Sequence, residues 1–364
     1  MAYLKLYKDK LAHNYRFLNQ KFAERGIEWG IVSKMLCGNA SFLAELVNLG
    51  VMEIHDSRVS NLKAIKKLKP EVQTVYIKPP AEKNIPQVVR YADVSFNTEL
   101  VTMQKLSAEA QRQQKTHKVL IMIEMGDLRE GVMGEDLLKF YGQVFELPNL
   151  EIVGIGTNLN CLHGVMPSTD KLIQLSLYKQ LVEATFHKKI PWISGGTSVT
   201  LPLLLGHQLP KAINHFRIGE TLYFGNNLVT GQLIPGMKEN IFELFAQIIE
   251  LSEKPKVPIG ELANNPSGDL WKIDEADYGK TSYRAILDIG LLDVSPNFLI
   301  PNQKGIQITG ASSDMLVIDL GQNEQNFAVG DIVSFGLKYM GALGLMNSNY
   351  IDKVVAVESD RRND

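Results

Sequence analysis

Eight short apolar runs, at residues 29–33, 51–55, 74–77, 93–96, 119–125, 152–157, 192–194 and 213–217, alternate with segments whose apolar residues recur at helical spacing. Phe42, Leu43, Leu46 and Leu49 form one such face and Leu62, Ile65 and Leu68 the next; another helix is expected over 172–186, after a capping signal at 167–170. Strict alternation of strand and helix leaves two main solutions, a closed parallel barrel and an open doubly wound sheet. Eight strands at about 25 residues per unit match an α/β fold of the (β/α)8 TIM-barrel type. No G-x-G-x-x-G follows the first run, so the fingerprint of the open dinucleotide-binding sheet is missing.

The texture changes after Gly225. Residues 231–236 and 254–260 read as turns or linkers, and the runs at 284–289, 315–318, 332–335 and 353–357 predict a smaller β-rich domain. The boundary is expected near 225–240, giving a barrel over 1–230 and a second domain over 231–364. The first strand, residues 3–7, precedes the first barrel helix and can pair with that second domain.

Several function classes are excluded by what the chain lacks. Thirty-eight basic against forty acidic residues, with no basic block beyond the helix end at 66–69, predict neither a nucleic-acid partner nor an anionic membrane surface. Two cysteines, Cys37 and Cys161, make no disulfide framework, and no stretch approaches the length of a membrane span. A cytoplasmic protein is expected.

In a barrel of this type the chemistry lies in the loops that follow the strands. The first run ends at Lys34, and a buried strand has little reason to end on an ammonium group unless the amine is used, since burying an unpaired charge is costly. A lysine emerging into solvent is the plainer alternative. The last two strand ends, 194–198 (SGGTS) and 217–220 (RIGE), carry glycines and hydroxyls of the kind that cradle a phosphate; for the first of them a tight turn is the alternative. An amine and a phosphate cradle on one barrel face are what pyridoxal 5'-phosphate requires.

The chain resembles the pyridoxal-phosphate enzymes of the alanine racemase type, and within them the ornithine racemase branch. The matching stretches are VSKMLCG at 32–38, DSRVSNL at 56–62, EMGDLREG at 124–131, GTNLNC at 156–161, SGGTS at 194–198, FRIGE at 216–220 and KPKVPIG at 254–260, which together span nearly the whole chain. The resemblance implies that Lys34 holds the cofactor covalently and moves the α-proton on one face. It implies that Ser198, with backbone amides near Gly219 and Glu220, holds the phosphate, and that Arg217 faces the pyridine nitrogen. A guanidinium there, hard to deprotonate, keeps the ring nitrogen unprotonated and favours simple proton removal and return. Arg129 stands where the family places an arginine near the cofactor hydroxyl and the substrate carboxylate; an ion pair with Asp127 or Glu130 is its alternative. Asn158 ends the sixth strand at the position of a ring-stacking histidine.

One departure concerns the second face. The family takes its second acid/base from a tyrosine of the partner subunit, and the corresponding stretch here, 290–293, carries Leu291. Asp293, Tyr283, Tyr339, Tyr350 and Cys161 are the candidates to replace it, and Asp288 or Asp293 can instead meet the distal amine of a basic substrate. A decarboxylase of this class is disfavoured because no cysteine follows Cys161, and a metal-assisted aldolase or dehydratase because the last histidine is His215, so no metal is expected. The remaining alternatives are racemisation of alanine or another amino acid and non-catalytic binding of pyridoxal phosphate. The expectation is therefore a homodimeric racemase with shared active sites, acting on ornithine or a similar small basic amino acid.

Overall fold

The alternation of two-sided apolar strands with one-sided helices gives each strand a helix to cover its outer face, while the inner faces must be filled by side chains alone. The computed structural model describes residues 2–264 and 270–359. The chain divides into two compact units, Lys8–Ile241, and Met1–Tyr7 together with Phe242–Asp364.

After β1 (Tyr3–Tyr7), the first of these units is built from β2 (Glu28–Val32), β3 (Glu53–Asp56), β4 (Gln73–Tyr76), β5 (Val94–Asn97), β6 (His117–Met122), β7 (Leu150–Gly156), β8 (Trp192–Ser194), β9 (Gly196–Thr197) and β10 (His215–Ile218). Neighbouring strands pair in parallel from β2 through to β8, and β10 pairs with both β2 and β9. β8 and β9 are one stretch interrupted at Gly195, so the nine segments make the eight-stranded barrel expected from the apolar runs. Val75, Val94, Phe96, Leu120, Met122, Val153 and Trp192 fill part of its interior. Polar side chains share that interior: Glu53, His55, Ser194 and His215 are all buried. Gly30 makes room for two of them, because a Cβ there would stand 2.4 Å from the His55 ring and 2.7 Å from Glu53 Oε1.

The second unit is a largely antiparallel sheet. Its strands are β11 (Phe242–Pro255), β12 (Thr281–Leu287), β13 (Leu299–Pro301), β14 (Gln307–Ala311), β15 (Leu316–Asp319), β16 (Ile332–Leu337) and β17 (Asp352–Ala356). They run in the order β13-β16-β11-β12-β15-β14, and β1 lies antiparallel to β11 and parallel to β17. A nine-residue helix, Tyr339–Asn347, interrupts the strands.

The division between units falls after Ile241. Residues 226–241 stay with the barrel unit because its first helix, Lys8–Ala23, holds them. Asn14 donates to Lys238 O at 2.8 Å and accepts from Lys238 N at 2.7 Å, and His13 Nε2 lies 2.8 Å from Gly236 O. Among the described residues no helix is long and apolar enough to cross a membrane. Gly30→Ala should destabilise the barrel by about 2 kcal/mol, because the added methyl must displace buried polar groups; urea unfolding measures it, and an unchanged midpoint would contradict this packing.

Candidate active site

Lys34 leads the short turn Lys34–Leu36 at the end of β2, and its neighbours are more tightly held than it is. Ser33 Oγ donates to Asp56 Oδ2 at 2.7 Å and to His55 O at 3.2 Å. Asp56 Oδ1 accepts from Arg58 N at 2.8 Å and from the Asn61 amide at 3.1 Å. Burial pushes the Asp56 carboxyl above the ordinary range, against the pull of these donors. Gly38, at φ +78°, lies so close to Asn61 that a Cβ would stand 2.6 Å from its Oδ1. The turn is thus clamped from beneath by β3 and the helix after it, while the Lys34 side chain is exposed and makes no hydrogen bond or ion pair among the described residues.

At the same end of the barrel Arg217 is 5% exposed. Its Nη1 donates to Ser194 O at 2.8 Å and to Ser194 Oγ at 2.5 Å, and its Nη2 donates to Thr157 O at 2.7 Å. Phe96 lies under the guanidinium, 5.4 Å from Cζ to the ring centre. Burial pulls the guanidinium down to about 10, with the charges of Glu130, Cys161 and Glu53 opposing that pull. It therefore stays protonated at neutral pH.

Ser198, after β9, collects two backbone amides. Its Oγ accepts from Gly219 N at 3.4 Å and from Thr221 N at 3.3 Å. The amides converging here are those of Gly219 and Thr221, with the Glu220 amide not among them. Gly219 sits against Val32, where a Cβ would approach the valine Cβ to 3.2 Å. The Glu220 carboxyl is pushed up by burial, and the Lys34 ammonium works in the opposite direction. That proximity of Glu220 to Lys34 was not legible from the strand-end motif.

The loops after β6 and β7 form one body. Asp127, read from the sequence only as a possible partner of Arg129, instead accepts from the backbone amides of Cys161, Leu162, His163 and Val165 at 3.0, 2.9, 3.2 and 3.2 Å. Arg129 forms a two-pronged ion pair with Glu130, so the carboxylate its fork meets in this structure belongs to the chain itself. The Asn158 amide lies between Arg129 and Cys161: with its oxygen toward the guanidinium it accepts from Nη2 and, at 3.3 Å, from Nη1, and the same amide atom lies 3.2 Å from Cys161 Sγ. Of the five candidates for a second acid/base, Cys161 shares this loop body, whereas Tyr283, Asp293, Tyr339 and Tyr350 belong to the β-rich unit. Asp293 Oδ1 there accepts from Ser348 Oγ at 2.5 Å.

One end of the barrel therefore offers an amine without a hydrogen-bond partner, a hydroxyl on which two amides converge, and a buried, permanently charged donor. That donor set fits pyridoxal phosphate, whose aldehyde, phosphate and ring nitrogen call for those three groups. For Asp127, burial raises the carboxyl but the four amides outweigh it, so the folded value lies below the ordinary one. A depressed carboxyl stabilises the fold above the unfolded value of about 3.9 and loses that contribution as pH falls through the folded value. Asp127→Asn should therefore weaken the 158–165 loop at pH 7 and narrow its difference from the parent protein below about pH 3.9; protease nicking of the loop against pH measures this, and a variant as resistant as the parent at pH 7 would contradict it.

Residues 6–227 match the family described as alanine racemase, N-terminal domain. The chain is 36% identical over 346 residues to the ornithine racemase of Acetoanaerobium sticklandii, covering 95% of this chain and 97% of that protein. It is 30% identical over 345 residues to the lysine racemase of Thermotoga maritima, covering 95% and 96%. Among solved structures, alanine racemase from Bartonella henselae with covalently bound pyridoxal phosphate aligns at a TM-score of 0.75 with 17% identity, over 98% of this chain and 99% of that one. The chain belongs to the alanine racemase family of pyridoxal-phosphate-dependent amino-acid racemases.

Proposed function

We propose that this racemase interconverts the L and D forms of ornithine or a similar basic amino acid, in the cytoplasm and as a homodimer. The observation that carries the substrate assignment is its 36% identity, over nearly its full length, to an ornithine racemase. The lysine racemase at 30% identity supports the same substrate class, since lysine is one methylene longer.

When bound, pyridoxal phosphate supplies an aldehyde that condenses with amines and a conjugated ring that accepts the electron pair left at Cα when its proton departs. Lys34 is the residue to hold the aldehyde covalently. When not bonded to the aldehyde, the Lys34 amine would remove or return the α-proton on its own face. Ser198 and the amides of Gly219 and Thr221 hold the phosphate. Arg217, fixed and charged, would face the ring nitrogen and keep it unprotonated, which suits proton removal and return better than bond cleavage.

Arg129 and Asn158 lie in the loops beside this group. For Arg129 to take the substrate carboxylate in its fork, Glu130 must give way. Asn158 then orients Arg129 through its amide oxygen.

Deuterium incorporation at Cα measures the choice of substrate directly. Ornithine should exchange fastest, lysine should follow within roughly 10- to 200-fold, the usual worth of one methylene, and alanine should be slower than both. Exchange with alanine but not with ornithine would overturn the substrate assignment. Sedimentation of the holoenzyme as a monomer at assay concentration would overturn the homodimer.

A further inference from the structure

Beneath Arg217, inside the barrel, lies a polar cluster that the proposed chemistry does not use. Arg217 Nη1 donates to Ser194 Oγ at 2.5 Å, Ser194 Oγ lies 2.6 Å from His215 Nδ1, and His215 Nε2 lies 2.8 Å from Glu53 Oε1. Arg217, Ser194, His215 and Glu53 are 5, 0, 0 and 7% exposed, so these contacts are made away from water. The Ser194 oxygen accepts from the guanidinium, and among the described residues its own proton has no acceptor other than His215 Nδ1, so that is where it goes. His215 then carries its proton on Nε2 and donates it to Glu53. The hydrogen bonds all run one way, from the cation at the barrel mouth to an anion in its interior.

The far end of this chain is also fixed. His55 Nε2 lies 2.5 Å from the same Glu53 oxygen, and the Gln73 amide donates to the other. Trp192 stacks on His215 with ring centres 4.3 Å apart, and its Nε1 donates to Glu28 at 3.0 Å. Burial would raise the Glu53 carboxyl, but the two imidazoles outweigh it and hold it well below the usual carboxylate range. A buried carboxylate in this state balances the buried guanidinium at the other end.

Glu53, His55 and His215 bring their ligand atoms within 4.8 Å of one another, which is the proximity of a metal site. The contacts argue otherwise. Separations of 2.5 and 2.8 Å between nitrogen and oxygen are hydrogen bonds; two ligands each about 2.0–2.1 Å from a tetrahedral metal would stand roughly 3.3 Å apart.

We propose that Ser194, His215 and Glu53 form a buried hydrogen-bonded relay that positions Arg217 and balances its charge, fixing the guanidinium against the cofactor ring. They are positioning residues, acting through Arg217. The proposal rests on the functional reading above only for its last link, the contact of Arg217 with the ring nitrogen. A guanidinium released from this relay would swing and admit water to that nitrogen.

The test uses holoenzyme loaded with pyridoxal phosphate carrying 15N in its ring, and two NMR readouts: proton exchange of the Arg217 guanidinium and the ring-nitrogen resonance. Ser194→Ala and His215→Phe are compared with Ser194→Thr, which keeps the hydroxyl, and with His117→Phe. His117 is a fitting control, because it is buried and hydrogen-bonded to Ser95 at 2.8 Å in the same barrel, on the helix-facing side of β5 and β6, and makes no hydrogen bond to the relay. Ser194→Ala and His215→Phe should each speed guanidinium exchange about tenfold or more, the loss of a charge-assisted hydrogen bond, and should shift the ring nitrogen. Ser194→Thr and His117→Phe should do neither. Guanidinium exchange unchanged in Ser194→Ala, or equally fast in His117→Phe, would overturn the relay. Faster exchange with a stationary ring-nitrogen signal would sustain the relay and overturn the placement of Arg217 at the ring.

Discussion

A guanidinium taken out of water must be held on every side, and much of the barrel's upper interior follows from that requirement at Arg217. Losing hydration costs several kcal/mol unless hydrogen bonds and a counter-charge replace it. Ser194 and Thr157 supply the acceptors, Phe96 supplies the face beneath, and Glu130 supplies the largest share of the negative charge, with a smaller share from Glu53 deeper in the barrel. The glycine at position 30, the tryptophan stacked on His215 and the break of the seventh strand at Gly195 all lie around this group or its support. A group that is dry, rigid and permanently charged keeps its proton, which would suit the proposed place of Arg217 beside the cofactor's ring nitrogen.

Lys34 is built by the opposite means. The backbone around it is locked by Ser33, Asp56 and Asn61, yet the amine itself makes no hydrogen bond among the described residues. A reactive amine has to move between bonded and free states, and a side chain already committed to an ion pair would resist both. The contrast between a clamped arginine and a loose lysine, on one barrel end, is the physical core of the site.

Much of this was legible in the sequence because it depends on local pattern. The eight apolar runs, the polar residues that end them, and the order of Lys34, Ser198 and Arg217 along the chain all express the period of a β/α unit. What was not legible depends on three-dimensional pairing. β11 was missed because its apolar residues, Phe242, Leu244, Phe245, Ala246, Ile248 and Ile249, do not alternate cleanly, and its pairing with β12 shifts register between Ile248 and Glu250. Asp127 looked like a partner for its neighbour Arg129, since nothing in a linear reading shows four amides of a loop more than thirty residues away. Glu53 and His215, far apart in the chain, meet only because β3 and β10 both face the interior of a closed barrel. The loop after Gly225 has the composition of a linker, yet Asn14 ties it to the first helix.

The most direct measurement is chemical. Reduction of the cofactor-loaded protein with borohydride, followed by mass mapping of its peptides, locates the lysine that carries the cofactor. The account predicts a single modified site at Lys34. Modification at another lysine, such as Lys78 after β4 or Lys171 in the helix Thr169–Phe186, or none at all, would contradict it.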